Sequence, residues 1–312
     1  MRRFVIGDIH GCAKALRTLI ETIAPEQDDE LIFLGDYVDR GPSSRDVVDQ
    51  IIELKNHCQV IALRGNHEIM LMAAAFGGVD SKAWLNGGGL ATVSSYGGSL
   101  RKIPAKHIAF FQELRPYYET ENEIFVHAGY DPDLAMREQL DTVIYWTHLP
   151  SPLPPPHISG KRVFVGHTPQ PFGQILNQEH LVCVDTYCFG NGYLSAMNVD
   201  DGDLIQVDRH GHIRRDPLAD FFDQLGRCWS RCRRLALRMG LPGKPTEEKK
   251  LEGDNKAQST VQATAQSNTH LSAPSSTQPS THSSTESSTQ SGKPSRRDDS
   301  VDPVRVADDC AT

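Results

Sequence analysis

The stretch Gly7-Asp8-Ile9-His10-Gly11 follows directly on the apolar run Phe4-Val5-Ile6, and the same arrangement returns twice downstream. Leu31-Ile32-Phe33-Leu34 runs into Gly35-Asp36-Tyr37-Val38-Asp39-Arg40-Gly41, and Val60-Ile61-Ala62-Leu63 leads through Arg64 into Gly65-Asn66-His67-Glu68. Short apolar runs stopped by glycine read as strands buried on both faces. Between them, Leu16, Leu19, Ile20 and Ile23, then Val47, Val48, Ile51, Ile52 and Leu54, keep the three-to-four spacing of amphipathic helices. A third helix carries Ile69, Met70 and Met72. Strands alternating with helices predict parallel βαβ units, with helices sheltering both faces of the sheet. In such sheets ligands sit at the carboxyl ends of the strands. Asp8, His10, Asp36, Asn66 and His67 are therefore expected around one crevice.

Farther along the pattern changes. Ile124 to Val126, Arg162 to Val165, Leu181 to Val184, Leu194 to Met197 and Leu204 to Val207 read as strands with few helices between them, so a second sheet is expected to pack on the first. Residues 150–157, PSPLPPPH, read as a proline-rich surface loop. Two of the later strands end in His127-Ala128-Gly129 and Gly166-His167-Thr168, which adds imidazoles to the crevice. Carboxylates, one amide oxygen and several imidazoles suit a pair of divalent Mn, Fe or Zn ions better than Mg or Ca. Two ions about 4 Å apart share a carboxylate and clamp a phosphate between them. Asp36, on the middle motif, is the candidate bridge. Arg40 can present a bidentate fork to phosphate oxygens, and a histidine left out of the ligand set can protonate a leaving alkoxide while a carboxylate holds its tautomer.

The motifs GDIHG, GDYVDRG, GNHE, HAG and GHT, in that order over residues 7–168, resemble those of the phosphoprotein phosphatase (PPP) family of metallophosphoesterases, in the calcineurin-like superfamily, and its bacterial serine/threonine protein phosphatase type. The resemblance implies an α/β fold: a β-sandwich of two packed mixed sheets flanked by helices, in four layers, α/β/β/α. It implies a first metal on Asp8, His10 and Asp36 and a second on Asp36, Asn66, His127 and His167, with manganese the leading candidate. It makes His67 the general acid, oriented by Asp39, and Arg40 the binder of the phosphoryl group, with a bridging hydroxide attacking phosphorus in line and no phosphoenzyme. The implied activity is a metal-dependent phosphomonoesterase acting on phosphoserine or phosphothreonine in proteins. A hydrolase of dinucleoside polyphosphates or small phosphate esters is the alternative, and a catalytically silent phosphate-binding scaffold is the second.

Two departures bear on substrate choice. In Tyr145-Trp146-Thr147-His148, His148 occupies the slot where the family places a second phosphate-binding arginine. A protonated His148, Arg162 or a mobile side chain is the expected substitute, though an imidazole lacks the planar fork. In Asp185-Thr186-Tyr187-Cys188, Tyr187 replaces a common glycine and is expected to line the site mouth. Asn66, His148 and Tyr187 thus join Arg40 as candidate substrate contacts. Glu68 is expected to stabilise a helix start, Arg64 to bind phosphate or make a structural pair, and Asn86-Gly87-Gly88-Gly89 to form a loop near the cleft.

The chain of 312 residues carries a formal charge of -8, and neither its globular part nor its tail is basic, which disfavours nucleic acid as a bulk partner. Seven cysteines without a secreted-scaffold spacing suit reduced thiols in a cytosol. No signal peptide and no 18-residue apolar run is legible, so a cytoplasmic protein without a membrane span is expected. The partner is expected to be a phosphorylated protein or a small phosphate ester. Trp229 is the last aromatic residue, and residues 257–295 contain 19 Ser or Thr. Such a segment cannot bury enough apolar area to offset its ordering entropy. A catalytic domain over residues 1–242 is therefore expected, followed by a disordered Ser/Thr/Gln-rich tail over 243–312. Phe221, Phe222, Leu225, Trp229, Cys232, Leu235 and Met239 keep helical spacing and predict an amphipathic helix over about 219–239.

Overall fold

The computed structural model describes residues 1–77, 81–170 and 172–215, within one compact unit spanning Met1–Pro217. The helix expected near 219–239 and the tail lie outside the described residues. Strands are β1 (Arg3–Ile6), β2 (Glu30–Phe33), β3 (Gln59–Ala62), β4 (Tyr117–Glu119), β5 (Glu123–Val126), β6 (Arg162–Val165), β7 (Leu176–Asn177), β8 (Leu181–Cys183), β9 (Tyr193–Asn198) and β10 (Leu204–Asp208). Helices are α1 (Ala13–Ile23), α2 (Ser44–Leu54), α3 (Asn66–Phe76), α4 (Lys82–Trp84), α5 (Leu90–Ser95), α6 (Ala105–Glu113) and α7 (Asp141–Trp146). Both sheets are mixed. The first runs β10-β9-β1-β2-β3, with β1, β2 and β3 parallel and β9 and β10 antiparallel. The second runs β4-β5-β6-β8-β7, with β5, β6 and β8 parallel between antiparallel edges.

Successive side chains of a strand point to opposite faces, and here that alternation separates three apolar cores. Val5, Ile32 and Leu34 of the first sheet meet Phe125, Phe164 and Val182 of the second in the space between the sheets. Phe125 and Phe164 stack there with ring centres 5.1 Å apart. Phe4, Ile6, Leu31 and Phe33 point the other way, onto Leu16 and Leu19 of α1, Val47 and Ile51 of α2 and Phe110 of α6. Ile124, Val126, Val163, Val165 and Leu181 face outward from the second sheet onto Ile144, Tyr145, Tyr130 and Met136.

Helices thus cover only one face of the first sheet, and the second sheet covers the other. An apolar strand demands an apolar lid on each side without specifying which kind, and a sheet packed face to face meets that demand. The outermost layer on the second sheet is thin: α7, a single 3₁₀ turn at Met136–Glu138, and the proline-rich segment. That segment is more than surface loop. Leu153 packs on the outer core, while the Pro154 and Pro155 carbonyls accept hydrogen bonds from His180 and Tyr130. Asn86–Gly89, expected as a loop near the cleft, forms a kinked turn between α4 and α5, and its Gly88 carbonyl accepts the Arg40 backbone N–H. Gly88 is not helical there: its φ of 124° kinks the chain, a conformation that favours glycine. Edge strands β4 and β7 went unread because runs of three and two residues carry no periodicity. Among the described residues, no helix is long and apolar enough to cross a membrane, and the four cysteines are buried free thiols.

Candidate metal centre

Each motif sits in the turn immediately after a strand, and the turns bearing GDIHG, GDYVDRG and GHT are strained. Seven described non-glycine residues have positive φ. Ala24 closes α1, while the other six are His10, Asp36, Asp39, Arg40, His167 and Tyr187, with φ between 46° and 70°. Such conformations cost of order 1–3 kcal/mol each and persist only where the surroundings enforce them. Close backbone approach is part of that enforcement: a Cβ at Gly65 would overlap Asp36 Oδ1, and one at Gly166 would overlap Asp8 Oδ1.

The turns bring most of the expected ligands together, with His67, expected as the general acid, standing in the first group where Asp8 was expected. His10, Asp36 and His67 offer ligand atoms within 4.8 Å of one another, as do Asp36, His127 and His167, and Asp36 belongs to both groups. His10 donates Nδ1–H to the Val38 carbonyl at 2.9 Å, and His127 donates Nδ1–H to that of Leu34 at 2.9 Å. Their bare Nε2 atoms therefore face Asp36, each 3.5 Å from a carboxylate oxygen. His127 Nε2 also lies 3.1 Å from Asn66 Oδ1. With the His127 proton on Nδ1, two acceptors face each other with no proton between them, which is an arrangement a cation satisfies. Asp8 stands apart from the first group, accepting the His167 backbone N–H at 3.1 and 3.2 Å, and its carboxyl hydrogen-bonds that of Asp185. Burial and then the charges of Asp185 and Asp36 push the Asp8 carboxyl well up; burial, and then Asp36, raises Asp185 to about 6. Cations bound beside them would favour the ionised carboxylates. The donor set fits two divalent ions, with Asp36 as the shared ligand.

The imidazoles divide into two kinds. Burial lowers His10, His127 and His167, the last to about 3, and so keeps them neutral, the form that binds metal. His67 goes the other way: burial lowers its pKa, but Asp36 and Asp39 together outweigh this and raise it. Burial also opposes ionisation of Asp36, yet His127, His67, His10 and His167 hold its carboxyl well below the ordinary range. His67 Nδ1 is 2.6 Å from Asp39 Oδ2, and its Nε2 faces Asp36 at 3.9 Å.

Three supports of this pair are illegible in the motifs. Trp84 Nε1–H and the Thr92 hydroxyl donate to the Asp39 carboxylate, each at 2.6 Å. Glu68 does cap its own helix, accepting the Gly65 N–H at 3.0 Å, but it also accepts the backbone N–H groups of Asp36, Tyr37 and Val38 at 2.9, 2.8 and 3.3 Å. It pins the turn bearing Asp36 to the helix bearing His67. The only sequence signal was the adjacency of Glu68 to His67.

At the mouth, Arg40 is exposed, its backbone N–H bonded to the Gly88 carbonyl at 3.1 Å and its Nη1 3.0 Å from His10 Nε2. His148 stacks on His167 with ring centres 4.4 Å apart. Burial and the charge of Arg40 lower its pKa, so near pH 7 it offers a neutral ring in place of the expected cation. Arg162 cannot substitute: it opens β6, at the end opposite His167, and binds Asn177. Arg64 makes a structural contact, donating to the Leu114 carbonyl at 3.2 Å. Tyr187 lies near Phe189, with ring centres 4.6 Å apart.

Comparison with known proteins agrees with this geometry. The chain is 44% identical over 71 residues to the symmetrical bis(5'-nucleosyl)-tetraphosphatase of Burkholderia pseudomallei and to that of Burkholderia mallei, a match covering 23% of this chain and 24% of each relative. The matched stretch thus spans about a quarter of the length of these relatives. A solved structure provisionally named a diadenosine tetraphosphatase superposes with a TM-score of 0.53 at 23% identity, over 66% of this chain and 92% of that one. A cold-active protein tyrosine phosphatase superposes with a TM-score of 0.50 at 14% identity, over 68% and 79%. At these identities the two structures establish a shared fold and leave the substrate open. The family described as calcineurin-like phosphoesterase matches residues 1–190, more than half of the sequence, and the chain belongs to that family.

Proposed function

We propose that the protein hydrolyses dinucleoside polyphosphates, cutting a phosphoanhydride bond of a dinucleoside tetraphosphate to give two nucleoside diphosphates. The observation that carries this reading over the protein-phosphatase one is the 44% identity to enzymes named for symmetrical cleavage of bis(5'-nucleosyl) tetraphosphates. Asp8, His10, Asp36, Asn66, His127 and His167 would hold two divalent cations, with Mn, Fe and Zn all compatible with the donor set. Bound there, the cations supply a water of lowered pKa and neutralise phosphate charge. Arg40 pairs with non-bridging phosphoryl oxygens at the mouth. His67, its Nδ1–H held by Asp39, keeps a second proton on Nε2 and passes it to the bridging oxygen as that oxygen leaves with the nucleoside diphosphate. Water supplies the new P–O bond, so one tetraphosphate and one water give two diphosphates. His148 and Tyr187 flank the path that the rest of the substrate follows.

Side-by-side turnover of diadenosine tetraphosphate and a phosphoserine peptide with Mn²⁺ tests this. We expect ADP as the product and a kcat/KM for the dinucleotide at least about tenfold above that for the peptide, a gap of about 1.4 kcal/mol. Peptide turnover with the dinucleotide untouched would restore the serine/threonine phosphatase reading. Hydrolysis of neither, with or without chelator, would leave a silent phosphate-binding protein.

A further inference from the structure

Phe189 belongs to none of the motifs, yet its ring touches two of their residues. The guanidinium carbon of Arg40 lies 4.5 Å from the centre of the Phe189 ring. The His10 ring meets the same ring edge-on, with centres 5.0 Å apart and planes 83° apart. From another side the Tyr187 ring approaches, at 4.6 Å and 67°. Tyr187 is itself held at φ 63°, a conformation that favours glycine, by its N–H bond to Asp185 Oδ1 at 2.9 Å and by Gly190 and Gly192 N–H donation to its carbonyl at 3.1 and 3.2 Å. A strained tyrosine where glycine would be relaxed indicates that its side chain has a task.

Arg40 needs such a contact. It is exposed, and a long side chain held in one pose loses rotamer entropy. The guanidinium contacts described for it are the Phe189 face and His10 Nε2. The second of these uses the lone pair that His10 would give to a metal, so in the loaded protein the aromatic contact is the one that persists. A guanidinium over a ring face keeps its N–H edge free for phosphate.

We propose that Phe189, braced by Tyr187, is a positioning residue that holds the Arg40 guanidinium aimed at the phosphoryl oxygens of the substrate. This rests on the reading of Arg40 as the phosphate binder and is independent of which phosphate compound is hydrolysed.

The test uses the full chain loaded with Mn²⁺ and inorganic phosphate as the probe, its affinity measured by calorimetry and by the shift it causes in Tm. Phe189→Leu should weaken phosphate binding about two- to fivefold, the range an exposed cation–π contact supports. Mn²⁺ affinity and the Tm without phosphate should stay near wild type. Phe189→Trp keeps a ring face and should bind phosphate as wild type does. Arg40→Ala should weaken phosphate binding at least as much, and adding Phe189→Leu to it should change nothing further. Tyr187→Gly, which relieves the backbone and removes the brace, should give a smaller loss of phosphate affinity without loss of stability, and it serves as the readout should Phe189→Leu fold poorly. Unchanged phosphate affinity in Phe189→Leu beside a weakened Arg40→Ala overturns the proposal alone. So does a double variant whose losses simply multiply, or a Phe189→Trp as weak as Phe189→Leu. Unchanged affinity in Arg40→Ala overturns the reading of Arg40 and the proposal with it. Neither result touches the dinucleotide reading, which stands or falls on product analysis.

Discussion

The two ends of the second sheet are both polar and otherwise unlike. At the carboxyl ends of β5, β6 and β8 stand His127, His167 and Asp185; at their amino ends stand Asn122, Lys161, Arg162 and His180, around a depression of about 620 Å³. The amino-end groups pair with neighbours, apart from Arg162 Nε, which is buried without a hydrogen-bond partner. Lys161 pairs with Glu119 at 2.9 Å, Arg162 binds Asn177, His180 binds the Pro154 carbonyl, and the left-handed backbone there is confined to Gly160. Around the carboxyl end, where turns of the first sheet join those of the second, Asp8, Asp36, Asp39 and Asp185 are all 3% exposed or less, and the backbone is strained at six side-chain-bearing residues. A volume open to solvent thus says little about chemistry. Buried charges awaiting a counter-charge, held by a backbone that would relax if allowed, say much more.

That contrast can be broken by mutation. Asp36→Asn should remove at least about 10³-fold in kcat, because one carboxylate serves both metal groups, and metal analysis should show both sites weakened. Arg162→Gln, at the other end, should leave turnover within about twofold, a surface-type effect; a large loss there would dissolve the distinction.

Next in size is His67→Asn. It should retain metal yet slow turnover of a phosphopeptide by about 10²–10⁴-fold, the usual share of a general acid. The loss on diadenosine tetraphosphate should be smaller, since a nucleoside diphosphate leaves without needing a proton as urgently as an alkoxide does. Equal losses on the two substrates would remove His67 from the leaving-group role.

Asp39→Asn should lower kcat by about tenfold and move its alkaline limb. The sign follows from the raised pKa of His67, to which Asp39 contributes. The imidazolium persists to a pH above its ordinary 6.5 and is lost as pH rises through the raised value, so the rate falls on the alkaline side. Without the Asp39 charge that limb should shift to lower pH in a kcat profile; an unmoved limb would assign it to another group.

The smallest effect belongs to the amino end of the first sheet. The hydrogen-bonded Arg2 guanidinium holds Asp29 at about 2. Because the folded value lies below the unfolded value of 3.8, the stabilisation is present above about pH 4 and disappears as pH falls toward 2. Asp29→Asn should therefore flatten the acid limb of a Tm-against-pH curve while leaving activity at neutral pH intact. A variant with the acid limb unchanged would show the pair to be energetically silent.

These regions also differ in how far the sequence exposes them. Asp8, His10, Asp36, Asn66, His67, His127 and His167 could be read because each of their five motifs follows its own strand, so strand order and motif order coincide. Glu68, Trp84, Thr92 and Phe189 could not. Glu68 meets Asp36 across 32 positions in the chain, and Thr92 meets Asp39 across 53. The kink at Gly88 places that glycine-rich turn beside Arg40, and the apolar strands of the first sheet left open which face the helices cover and which the second sheet covers. His148 was visible as a departure, but its neutrality depends on burial and on Arg40, neither of which is a property of its neighbours in sequence.

By itself, then, the sequence determined the order of the polar motifs on alternating strands and helices, which follows from periodicity and glycine at the turns, while the expected ligand set and the His67–Asp39 pair came from the resemblance those motifs carry. Only the tertiary structure decided which nitrogen of each imidazole faces the centre, which carboxyls lie side by side, what holds the Asp36 turn against its helix, and where Arg40 rests. Those are set by hydrogen bonds and ring contacts between segments that only packing brings together, in a buried site where removal of water makes each such contact count.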